Sequence, residues 1–409
     1  MSSHSKNWRT PALVLLLGGI ILTVALGTRH TFGLFLQPMT ADLGWDRATF
    51  AFAMALQNLV VGLAQPFSGA IADRFGTARV MIFGSLLYAA GLWMMSHAAT
   101  GTEFSLSAGL MVGVALSCTN FAIVFGVVGR AFPPHRRTVA LGIASAAGSF
   151  GQFVMLPYGQ VLINRIGWHE AFVILALTVL IIIPLSSAMV ESRQKIAASG
   201  AKMSIGESLR EALGHRGYIL LCSGYFVCGF QLLFVSIHFP AYLIDQKMSP
   251  EVGMAALALI GLFNIFGSYL WGLAGGRYTK KYLLSLLYFL RAVVIAVFIS
   301  LPITPWTVYV FSAVIGFLWL GTVPLTSGLI AQVFGVRYLS MLSGISFLFH
   351  QVGSFAGIYA GGWIFDTTGS YTVMWMLTIG MGLLAALINL PIDDKPVARL
   401  AAQAKPASV

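Results

Sequence analysis

The sequence predicts an all-α membrane protein of twelve transmembrane helices in two six-helix halves, with both chain ends on the cytoplasmic side. Three observations predict it. Of 409 residues, 58% are hydrophobic and only 9% charged, against about 25% charged in a soluble domain. The apolar residues gather into twelve runs, each long enough for the roughly 20 residues that a membrane helix needs. The first six runs and the last six repeat one another at a nearly constant offset.

In chain order the runs cover 12–37, 48–71, 79–98, 104–128, 138–163, 169–190, 217–244, 251–274, 282–301, 306–330, 338–364 and 371–391. The first follows Lys6 and Arg9 in the manner of a signal peptide. It is too long for such a peptide, and no small-x-small cleavage site ends it, so it is read as the first span. Connections are short except 191–216, which is polar and charged. This divides the chain into a first half (1–190), a linker (191–216), a second half (217–391) and a tail (392–409).

Charge sets the orientation. With the N-terminus inside, the inner segments hold nineteen of the 24 Lys and Arg residues, and the outer loops hold only Arg47, Arg165 and Lys247. That asymmetry is the positive-inside pattern. The net charge of +11 therefore follows topology and calls for no nucleic-acid partner. Cys118, Cys222 and Cys228 lie in apolar runs with no metal spacing and no disulfide framework.

Two basic residues remain inside spans, Arg29 and Arg291. An ionisable group at membrane depth costs roughly 3 kcal/mol on insertion scales and almost always faces a bundle interior or a watery cavity. Arg29 and His30 are adjacent, so on a helix they point about 100° apart. One is expected in a cavity and the other against a neighbouring helix; a purely structural pair is the alternative. Arg291 lies near the middle of the ninth span with Tyr288 one turn earlier. No carboxylate falls inside a span to neutralise it. A bound anion would do so, and backbone carbonyls would do so in part.

The repeat is visible in two places. Gly69-Ala70-Ile71-Ala72-Asp73-Arg74-Phe75-Gly76 follows the second span, and Gly272-Leu273-Ala274-Gly275-Gly276-Arg277-Tyr278-Thr279 follows the eighth. Leu141-Gly142-Ile143 and Ser343-Gly344-Ile345 open the fifth and eleventh. Paired six-helix repeats of this kind mark one transporter architecture.

The first of these loops, with Arg79 after it, resembles the signature of the major facilitator superfamily. The resemblance covers the whole chain and implies a major facilitator fold. Gly69 would allow close helix approach and Gly76 a tight turn. Asp73 would pair with a basic group or with a helix N-terminus, holding the cytoplasmic side shut. Arg74, Arg79, Gly272 and Arg277 complete the expected gating motif.

A narrower resemblance starts at Arg29-His30-Thr31-Phe32-Gly33-Leu34-Phe35-Leu36 and continues to Pro38-Met39 and Leu43-Gly44-Trp45. It is similar to the branch of monocarboxylate transporters and oxalate–formate antiporters. His30 falls where monocarboxylate carriers have a lysine. The eighth span departs from the branch: Asn264 and Ser268 stand where many members have Asp and Arg. Arg291 is the candidate replacement for that arginine, from the adjacent helix. His350, beside Gln351, is the loose counterpart of a lysine in the oxalate carriers.

In such a fold the first, fourth, seventh and tenth spans line the path. Asn120 would then donate to a carboxylate, or bond between helices. Trp319 would present its indole N–H, or pack. His238, before Pro240, is a candidate outer-gate group. The expected substrate-binding set is Arg29, His30, Asn120, Asn264, Arg291, Trp319 and His350. A cavity of unpaired positive charge attracts anions, and the histidines are the groups in the spans suited to titrate near neutrality. The expectation is a monomeric secondary transporter, in the inner or plasma membrane, for a small organic anion, a monocarboxylate first. Proton symport is the favoured coupling, with anion exchange or efflux of amphiphiles by the same fold as alternatives. The partners are that anion, protons and the lipid bilayer. No nucleophile–base set, phosphate loop or metal site is read, so neither an enzyme nor a cofactor is expected.

Overall fold

A computed structural model describes residues 9–45, 47–191 and 203–404. Lys6, Arg193, Lys195, Lys202 and Lys405, counted above among the inner charges, lie outside them, as does 192–202 of the linker. The described part of that linker contains the helix Ile205–Gly214. A capping box opens it, and the Ser204 backbone N–H donating to Glu207 holds that carboxyl below its ordinary value.

Among the described residues, eleven helical stretches are long and apolar enough to cross a membrane. One of them, Pro134–Met189, has 56 residues. At 1.5 Å per residue it would reach roughly 84 Å, well over twice the hydrocarbon thickness of a bilayer. It is two spans. Gly167, at φ 84°, ψ 171°, reverses the chain between them. The spans are thus twelve, six before the linker and six after it.

Local sequence explains the ends. Pro11 starts the first span, and the Thr10 hydroxyl accepts from Leu13 N. That span continues through a tighter turn, Phe32–Phe35, to Leu43, where Gly44 ends it in the left-handed conformation. It is longer than the apolar run, because Thr40 and Asp42 are polar residues inside its last turns. Pro250 and Pro305 open the eighth and tenth spans, where a missing N–H costs nothing. Gly76, at φ 103°, is the single residue joining Arg47–Phe75 to Thr77–Ser96.

Two spans are not continuous. The fourth breaks at Asn120, whose extended backbone (φ −84°, ψ 177°) separates Val112–Thr119 from Phe121–Ala131. The tenth breaks between Pro305–Phe317 and Thr322–Phe334. The fourth and tenth occupy equivalent places in the repeat. Neither break was expected from the apolar runs, because Asn120 is one polar residue inside a long apolar run and 318–321 is mostly as hydrophobic as its neighbours.

The halves meet at the face that carries both chain ends. There Arg9 donates to Val190 O, Val397 N donates to Val333 O, and Arg399 pairs with Glu211. The second span packs on the eleventh and the fifth on the eighth. A Cβ on Gly69 would lie 2.6 Å from Ser340 O, and one on Gly142 would lie 2.7 Å from Gly272 Cα. These are backbone-to-backbone contacts that only glycine permits. Among the described residues, hydrogen bonds between the halves run from this face to mid-depth and stop there. The first and seventh spans share no packed interface. The cleft between the halves therefore opens away from the termini.

The Gly142 contact gives a direct test. Val139 and Gly276 adjoin across the same junction, so a cysteine pair at 139 and 276 should cross-link when this face is closed. Adding Gly142→Val should cut that cross-linking about tenfold, since overpacking of this kind costs roughly 1–3 kcal/mol. Unchanged cross-linking would mean that the junction has slack that the contact distances do not suggest.

Candidate functional site: the floor of the cleft and its latch

Two polar chains cross the floor of the cleft, one at each junction of the halves. The first begins at Arg29. Its guanidinium, partly exposed, donates to Asn58 Oδ1 of the second span. Asn58 O accepts from Gln351 Nε2 of the eleventh span at 3.0 Å. Gln351 Oε1 in turn meets His350 Nδ1 at 3.2 Å. An amide oxygen only accepts, so Nδ1 of His350 carries the proton. His350 is buried between the Tyr225 ring at 4.9 Å and the Phe347 ring, stacked at 5.5 Å.

His30 points elsewhere. It is exposed, and its Nε2 meets the Gln152 amide nitrogen of the fifth span. The two neighbours thus part as helical spacing requires: Arg29 toward the junction of the second and eleventh spans, His30 toward the fifth.

The second chain runs through Asn264. Its Nδ2 donates to Ser149 Oγ, across the halves, at 2.9 Å. Its Oδ1 accepts from Leu320 N at 3.0 Å and from Ser268 Oγ at 3.2 Å. Leu320 lies in the break of the tenth span, so one buried amide ties that break to the opposite half. Trp319, partly exposed, lies in the same break.

Arg291 holds the other lip of the break. Its Nε and Nη2 donate to Leu318 O, at 2.9 and 2.6 Å, and Nη2 also to Trp319 O. Nη1 donates to Cys228 Sγ at 3.4 Å. These carbonyls end the half-helix Pro305–Phe317, where the helix dipole is negative. Arg291 is 1% exposed and lies 5.5 Å from the Tyr288 ring centroid. It does not face the cleft, as expected of a substrate-binding arginine; freed carbonyls at a helix end satisfy it instead of an anion. Asn120 is likewise turned inward, its Oδ1 accepting from Phe121 N at 2.7 Å to cap the half-helix that it starts. One carbonyl freed at that break, Ser117 O, is met by both Gln65 and Ser68.

The latch sits at the closed face. Asp73 is fully buried. One of its oxygens pairs with Arg130 at 2.9 Å, and the other accepts from Met341 N, in the first turn of the eleventh span, at 2.9 Å. Asp73 therefore meets both a basic group and a helix N-terminus. Arg130 also pairs with Glu191 at 2.8 Å and donates to Val336 O at 3.3 Å. Four backbone segments meet there, one of them, 336–341, from the second half. Arg74, Arg79 and Arg277 stay exposed and take no part in this ion network. Gly276 stands where the repeat would place a second acid, so the junction of the fifth and eighth spans closes on Gly142 and Gly272 without a carboxylate.

His238 does not reach the first half either. Its Nε2 donates to Ile358 O at 2.9 Å, and its Nδ1, accepting, meets Tyr371 OH at 3.1 Å. It ties the seventh, eleventh and twelfth spans of one half together, a static role in place of a gate between halves. Arg130, Glu191 and Ser149 were missed by sequence reading. Charge balance offered the only signal, since a buried Asp73 needs a cation.

Comparison with known proteins follows the same lines. A profile of the Major Facilitator Superfamily matches residues 15–357 and 221–408. The chain is 26% identical over 389 residues to the "Uncharacterized MFS-type transporter YcxA" of Bacillus subtilis, covering 91% of this chain and 92% of that one. It is 25% identical to "Monocarboxylate transporter 12" of Rattus norvegicus, over 81% of this chain and 75% of that one. Among solved structures, the fucose:proton symporter FucP of Escherichia coli superposes with a TM-score of 0.74 at 14% identity, over 93% and 97% of the two chains.

Proposed function

The chain belongs to the major facilitator superfamily, and from that premise we propose that it carries a small organic anion, a monocarboxylate first, by alternating access with proton symport. It is a transporter and not an enzyme, a multi-pass protein of the cell membrane whose substrate is a small molecule. The match to proteins named monocarboxylate transporters supports the finer reading.

One observation carries it. Arg29 is a permanently charged, five-donor group, partly exposed at the floor of the cleft. Among the described residues no carboxylate pairs with it, and an amide oxygen is its hydrogen-bond partner. A carboxylate ligand offers it a bidentate, charge-assisted alternative. Because Asn58 also holds Gln351 of the other half, an anion that draws Arg29 away acts on a junction that must open. The positive-inside count makes the closed face cytoplasmic, so the cleft loads from outside. His350 and the ligand's own carboxylate are the groups assigned to proton coupling.

The test is thermal stabilisation of purified protein by a panel of carboxylates at pH 5.5 and 7.5. A ligand at a hundred times its Kd stabilises by about 2.7 kcal/mol. One class of monocarboxylate should raise the unfolding temperature, more at the lower pH, and Arg29→Gln should abolish the shift without lowering basal stability. Equal shifts at both pH values would favour anion exchange. A flat carboxylate response with shifts from lipophilic cations would replace the anion reading by efflux of amphiphiles.

A further inference from the structure

Cys228 lies near the middle of the seventh span, fully buried. Three neighbouring spans bring a hydrogen-bonding group to its sulfur. Arg291 Nη1 of the ninth donates at 3.4 Å, Thr322 Oγ1 of the tenth lies at 3.2 Å, and the His350 imidazole of the eleventh also bonds it. Tyr288, beside the Arg291 guanidinium, and Tyr225, whose ring lies on His350, close the cluster. The twelfth span, Thr372–Asn389, holds no ionisable residue, and Glu251, Tyr269 and Arg277 of the eighth are exposed.

These surroundings suit an anion. A neutral thiol is a weak acceptor and a poor match for a buried guanidinium. A thiolate would supply the charge that no carboxylate among the described residues supplies to Arg291. Thr322 points the same way, since its hydroxyl can give the sulfur a second donor. The half-helix Thr322–Phe334 begins beside the sulfur, and no side chain caps its positive end. A helix N-terminus and an adjacent arginine are the setting in which cysteines ionise.

We propose that Cys228 is the proton acceptor of the transport cycle, a thiolate paired with Arg291 when empty and a thiol when loaded, with His350 passing the proton in from the floor of the cleft. This rests on the anion-symport reading above. Loading adds one proton from the outer side; an S–H bond forms and no other bond breaks. The site goes from neutral to one positive charge, which attracts an anion, so the proton binds first. Cys228 also joins the two polar chains of the floor. His350 ends the first, and Arg291 grips the break that Asn264 ties to the opposite half. A proton on the sulfur is therefore felt at both junctions that must open.

The first readout needs no ligand. The S–H stretch of Cys228 is isolated as the infrared difference between the full-length protein and its Cys228→Ser variant, both in detergent. The band should be missing at pH 7.5 and present at pH 5.5. An ordinary thiol, ionising at about 8.5, would show it at both. A full band at both pH values, or none at either, overturns the proposal. If Cys228→Ser does not fold, Cys228→Ala serves as the reference, and Thr322→Val, which removes a donor to the sulfur, should strengthen the band at pH 7.5. The second readout is the carboxylate panel. The extra stabilisation at low pH should vanish in Cys228→Ser and return in Cys228→Asp, which can ionise. A Cys228→Ser protein that keeps it overturns the coupling role. A panel that is flat for the parent while the band still titrates removes the anion reading and leaves the proton site standing.

Discussion

Arg130→Met should open the closed face and destabilise the protein by about 3–5 kcal/mol, the usual cost of removing one partner from a buried ion cluster. Asp73 and Glu191, with side chains 0% and 8% exposed, would be left as neighbouring carboxylates without a cation. Cross-linking of the 139–276 cysteine pair should fall and the unfolding temperature should drop. Because the cluster is buried, the loss should vary little between low and physiological salt. The triple variant Arg130→Met, Asp73→Asn, Glu191→Gln should recover most of the stability, since neutral groups need no counter-charge. A single variant that remains closed and stable would mean that glycine packing alone holds the face shut.

Arg291→Gln should cost a similar amount for a different reason. The charge is not shared with any carboxylate; it satisfies Leu318 O and Trp319 O. Buried acceptors stripped of their donors cost about 1–3 kcal/mol each. Lysine should rescue only in part, because one ammonium cannot reproduce the planar fork that reaches both carbonyls. The contrast with Arg29 is the informative result. Arg29→Gln should keep stability and lose the carboxylate response, whereas Arg291→Gln should lose stability first. If Arg291→Gln instead unfolds at the parent temperature and no longer responds to carboxylates, Arg291 belongs to the binding site after all.

Much of the architecture was legible because lipid imposes long apolar runs and the charge asymmetry counts them. The gate loop was legible because Gly69, Asp73 and Gly76 each serve a local geometric need. The breaks at Asn120 and at Leu318–Gly321 were not. A helix in a bilayer can stop wherever side chains meet the freed backbone groups, and those side chains (Gln65, Ser68, Asn264, Arg291) come from other spans. Arg291 illustrates the difficulty. Its sequence context announces an unpaired charge, and only the fold shows that carbonyls of a neighbouring helix neutralise it. Arg130 was hidden in the opposite way, since it looked like one more inside-positive loop charge.

The distance along the chain between Arg291 and its acceptors has a consequence for biosynthesis. Leu318 follows 27 residues later. At about 5–20 residues per second, the ribosome supplies those carbonyls only seconds after the arginine has been made. During that interval the ninth span carries a guanidinium that the bilayer resists by about 2.5–3.5 kcal/mol, with nothing yet to receive it. The ninth and tenth spans should therefore leave the translocon as a pair. Chains truncated between them should stall at the membrane surface, and Arg291→Leu should release that stall even though it harms the finished protein.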